Sequence, residues 1–128
     1  MDNMIDNKHL LSDNFENLNQ IALNEKNNYQ NASPYPHVVM KKFFNEDFLN
    51  SILTEFPNLT NITESEKYSN KNEVKLSYNK YENFPNKIKI LFDFLNSKTF
   101  LLFLQTLTGI KENLLSDPYL MGGGLHEI

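Results

Sequence analysis

The sequence predicts an α+β domain in which helices outweigh strands. Two observations carry that prediction. Apolar residues recur at helical spacing in four separate stretches, which is the signature of helices with one buried face. Strand-like character is confined to three short runs: His37-Val38-Val39-Met40, Glu73-Val74-Lys75-Leu76-Ser77-Tyr78 and Leu125-His126-Glu127-Ile128. Pro57, Gly109 and Asp117-Pro118 separate these elements as breakers should.

The chain has 128 residues, enough for one domain with a sizeable core. Its net charge of −4 argues against a general affinity for nucleic acid or anionic membrane, which needs clustered positive charge. All 12 basic residues are lysine and 20 residues are asparagine, a bias that an AT-rich coding sequence would produce. Without arginine, no guanidinium can clamp a carboxylate or phosphate through two parallel hydrogen bonds. Without cysteine, disulfides, thiolate metal sites and cysteine nucleophiles are excluded. The N-terminal stretch MDNMIDNKHLL is acidic and polar, unlike a secretory leader. No apolar run approaches the roughly 18 residues of a membrane span. A cytoplasmic location is the expectation. The matches to the glycosylation sequon at Asn31, Asn58 and Asn61 are what chance gives in so asparagine-rich a chain.

Residues 1–7 read as frayed. From 9 to 28, Leu11, Phe15, Leu18, Ile21 and Ala22 fall on one helical face, with Ser12 or Asp13 as the cap if the helix starts late. Pro34 and Pro36 then force extended geometry. The β-branched centre of His37-Val38-Val39-Met40 reads as a short buried strand.

Asn45-Glu46-Asp47 is a helix start, with a capping side chain and two acids against the positive end of the dipole. Phe48, Leu49, Ile52, Leu53 and Phe56 form its apolar stripe, and Pro57 ends it. Residues 58–83 are polar and lack helical period. Within them 73–78 alternates weakly, as a short edge strand would, and Tyr68, Tyr78 and Tyr81 could anchor a long loop. Phe84-Pro85 opens the next helix, striped by Ile88, Leu91, Phe92 and Leu95 and widened by Ile90 and Phe94. Ser97 caps another, striped by Phe100, Phe103, Leu104 and Leu107, and Gly109 stops it. These last two helices read as a packed pair at the centre of the core.

The chemistry-bearing residues do not assemble into a site, and no catalytic, cofactor-binding or metal-binding residue is assigned. His9, His37 and His126 are far apart in sequence, and none has a carboxylate at metal-ligand spacing. Glu127 follows His126, but neighbours in a strand point to opposite faces. His37 reads as a structural histidine tying a loop to the strand. His126 reads as a side chain lining a sheet that further sequence would complete. Gly122-Gly123-Gly124 lacks the pattern of a phosphate loop and reads as a close-approach entry into a strand. The last run begins a strand at the final residue, so the chain reads as the front part of something larger.

Taken in order, Ser33-Pro34-Tyr35-Pro36-His37-Val38-Val39-Met40, Phe44 with its acid-capped helix to Phe56-Pro57, Phe84-Pro85 with a helix to Ser97, Leu107-Thr108-Gly109-Ile110, Asp117-Pro118 and Gly122-Gly123-Gly124-Leu125-His126-Glu127-Ile128 form a recognisable succession. Over residues 33–128 it resembles the N-terminal portion of 2-oxoglutarate and iron(II)-dependent oxygenases of the prolyl-4-hydroxylase-like group. The resemblance implies helices packed on the major sheet of a double-stranded β-helix (jelly roll), with only the first strands present. Residues 1–32 would be an N-terminal helical extension, partly disordered, and 33–128 part of an incomplete oxygenase domain.

The implied activity is hydroxylation of a prolyl or other C–H bond with decarboxylation of 2-oxoglutarate. Fe(II) and 2-oxoglutarate are implied for the full-length family member, with room for ascorbate. The family's His-x-Asp pair, distal histidine and basic cosubstrate residue have no counterpart in this sequence. A facial triad needs two histidines and a carboxylate. The expectation is therefore a fragment inactive alone, whose partner is the remaining half of the jelly roll. The alternative is a small non-catalytic helical protein that binds a partner through exposed apolar residues.

Overall fold

The computed structural model describes residues 9–128, and the expectation of fraying at 1–7 lies outside them. Four α-helices and a three-stranded antiparallel sheet make up the described residues: α1 (Leu18–Asn31), α2 (Glu46–Glu55), β1 (Glu66–Ser69), β2 (Val74–Tyr78), α3 (Asn86–Leu95), α4 (Lys98–Thr108) and β3 (Leu125–Glu127). The architecture is α+β, as the sequence predicts. No single helix among the described residues is long and apolar enough to cross a membrane.

The first helix starts later than its apolar spacing suggests. Leu10 and Leu11 are 2% and 1% exposed, yet neither lies in a helix. Leu10 sits in a turn and Leu11 bridges Phe44, with Ser12 N donating to Phe43 O and Asn45 N donating to Leu10 O. A 3-10 turn, Asp13–Phe15, follows. The Asn17 side chain then accepts from Gln20 N at 3.1 Å and starts α1. Asparagines within α1 weaken its intrinsic propensity, but several bond locally. Asn31 donates to Asn27 O, and Gln20 donates to Asn24.

α2 begins as its sequence dictates. Asn45 Oδ1 accepts from Phe48 N at 3.0 Å, and Glu46 and Asp47 occupy the first turn. Its buried stripe is narrower than expected. Phe48 is buried and Ile52 packs inward, but Leu49 (43%) and Leu53 (75%) face outward. α4 is capped by Ser97 Oγ, which accepts from Phe100 N, and closed by Gly109 at φ +76°. A Cβ on Gly109 would also stand 2.9 Å from Gln30 Nε2.

The main partner of α4 is α1, not α3. α3 and α4 meet at a 44° bend, so they share a corner and not a long seam. Leu18 and Ala22 of α1 close on Phe103 and Leu107 of α4, joined by Leu10, Leu11, Phe48 and Phe94. Aromatic rings knit this first core. Phe43 meets Phe15 edge-on at 4.9 Å, and Phe94 meets Phe100 at 5.0 Å. Such pairs add about 0.5–1.5 kcal/mol each beyond their buried area.

A second core holds Leu59, Tyr78, Phe84, Ile88, Leu120 and Leu125. α3 links the two cores, offering Ile88 to the second and Phe94 to the first. Ile52 of α2 touches both. No polar or charged side chain is buried among the described residues.

Two strand expectations change. Residues 37–40 belong to no strand, because no described backbone pairs with them. Val38 and Met40 still pack on the first core, while Val39 is 74% exposed. β2 is the central strand of the sheet and not an edge. Its unforeseen neighbour β1 is exposed at all four residues, so it carries no hydrophobic alternation to read.

Candidate functional site

The candidate site is the face of the sheet that the second core does not use. Side chains alternate across a strand. Tyr78 and Leu125, paired across β2 and β3, point into the second core, and Leu76 packs with them. The residues between them therefore point the other way. Register places Glu66, Ser77 and His126 in one row across the three strands, with Tyr68 and Lys75 in the next row. All five are polar or amphipathic and none is buried.

Within this face the Tyr68 hydroxyl donates to Glu66 Oε2. That hydrogen bond, and then the carboxylate's negative charge, hold the Tyr68 phenol above its ordinary range. His126 is exposed next to Ser77 on the adjoining strand. Its sequence neighbour Glu127 faces the opposite side, where its carboxylate accepts from Leu59 N at 3.3 Å. The separation of His126 from Glu127 is as the sequence predicts. On Glu127's side Lys67, Leu76 and Glu127 stand in register, flanked by Thr60 and Ser65, and line an open groove.

The loop that delivers β3 is built around Asp117. Its Oδ1 accepts from Met121 N and its Oδ2 from Gly122 N, both at 2.8 Å, while Asn96 Oδ1 accepts from Asp117 N. This turn buries Leu120, at φ +50°, and leaves Tyr119 and Met121 more than 80% exposed. Gly124 then runs against β2. A Cβ there would lie 2.8 Å from Tyr78 O, so the backbones approach as closely as the glycine run suggests.

The remaining histidines are elsewhere. His37 Nδ1 lies 2.8 Å from Tyr35 O, and the two rings are 5.4 Å apart, so it braces its own loop and not a strand. His9 is exposed at the start of the described chain. Of the three tyrosines expected to anchor the long polar segment, Tyr78 is buried and Tyr81 donates to Asp93 Oδ1 at 2.6 Å. Tyr68 is 54% exposed and anchors nothing in the core.

Among the described residues no three His, Cys, Asp or Glu side chains converge as metal ligands would. Comparisons with protein-family models, curated proteins and solved structures found no match to this chain. The open sheet face is thus defined by geometry alone. Sequence reasoning missed its Glu66–Ser77–His126 row, because cross-strand register is not written in local spacing.

Proposed function

We propose that this chain supplies the helical layer and first strands of a 2-oxoglutarate and Fe(II)-dependent dioxygenase of the prolyl-4-hydroxylase-like group. Its substrate would be a prolyl or other C–H bond. The observation that carries this reading is the one-sided packing of the sheet. α3 and the second core cover one face, and the polar face with His126 stays open. A jelly roll places a second sheet opposite such a face. The order of motifs from Ser33 to Ile128 supports the same assignment, with the Gly-rich turn leading into β3.

The described residues do not fit an iron site. His126 is the single histidine of the open face, and the nearest carboxylate in its row, Glu66, is two strands and roughly 10 Å away. Glu66 is also engaged by Tyr68. The ligands and the cosubstrate residue would come from the complementary half of the jelly roll, which is the proposed partner. Bound Fe(II) and 2-oxoglutarate, with dioxygen as the oxidant, would supply the hydroxylating chemistry there, and this chain would supply walls and support.

Titration of the 128-residue chain with Fe(II) plus 2-oxoglutarate tests the assignment. No specific heat and no 2-oxoglutarate turnover are expected. Stoichiometric tight binding would overturn the placement of the ligands outside these residues.

A second reading, a non-catalytic partner-binding protein, draws on the exposed Leu115, Tyr119 and Met121, each more than 80% accessible. It requires the chain alone to melt in one cooperative transition with dispersed amide resonances. The oxygenase reading expects the helical cores still to unfold cooperatively but the chain to self-associate, because an unpaired strand edge and an uncovered sheet face favour association.

A further inference from the structure

We draw no further inference here: the strongest candidate, the irregular segment 37–40 with Val38 and Met40 packed inward, Val39 74% exposed and its backbone unpaired among the described residues, carries no proposal because nothing in the structure shows what covers it.

Discussion

At the scale of single residues, the first core rests on aromatic packing. Phe94 and Phe103 are 0% and 2% exposed and have ring partners on several sides. Truncating either to alanine leaves a cavity that the surrounding rings cannot fill. Phe103→Ala is expected to cost about 3–5 kcal/mol in denaturant unfolding, a loss this small domain would barely survive. Tyr81 gives a pH signature. Burial first, then the hydrogen bond and charge of Asp93, push its phenol from the ordinary 10.0 up to about 12. The folded state therefore holds the proton more tightly than the unfolded state. The resulting stability is fully present below pH 10 and is lost as pH rises towards 12. Stability measured from pH 9 to 12 should fall less steeply in Tyr81→Phe than in the parent chain, because that substitution removes the linked ionisation.

At the scale of elements, helix ends were the most legible features. Asn45, Ser97 and Gly109 all do what their residue types promise at those positions. Ser97→Ala should remove the bond to Phe100 N and cost about 1 kcal/mol, read from the thermal midpoint. Gly124→Ala tests the sheet. Its Cβ would meet Tyr78 O at 2.8 Å, so β3 must shift away from β2. Faster amide exchange across β2 and β3 is expected, with α1 and α4 unchanged. Equal protection of both strands in the variant would contradict that packing. The sequence was weakest where local spacing competes with tertiary contacts. Leu11 and Phe15 match a helical period, yet pairing with Phe44 and Phe43 O delays α1 until Asn17. Leu53 belongs to a good apolar stripe and is nonetheless 75% exposed. β1 is exposed along its whole length, so its pairing with β2 had no apolar signal to announce it.

At the scale of the whole molecule, two cores joined through α3 hold a sheet whose polar face stays open. The α+β class was readable from helical stripes and short strand runs. The row of Glu66, Ser77 and His126 was not, because it depends on antiparallel register between segments up to 60 residues apart, from Glu66 to His126. The central claim is that this scaffold belongs to an oxygenase jelly roll whose iron and 2-oxoglutarate residues lie outside the 128 residues. Sequencing the source DNA past codon 128 tests it most directly. The account predicts an open frame that runs through a glycine turn into a His-x-Asp pair, with a further histidine and a basic residue beyond. A stop codon directly after Ile128 would contradict it and leave the partner-binding reading in its place.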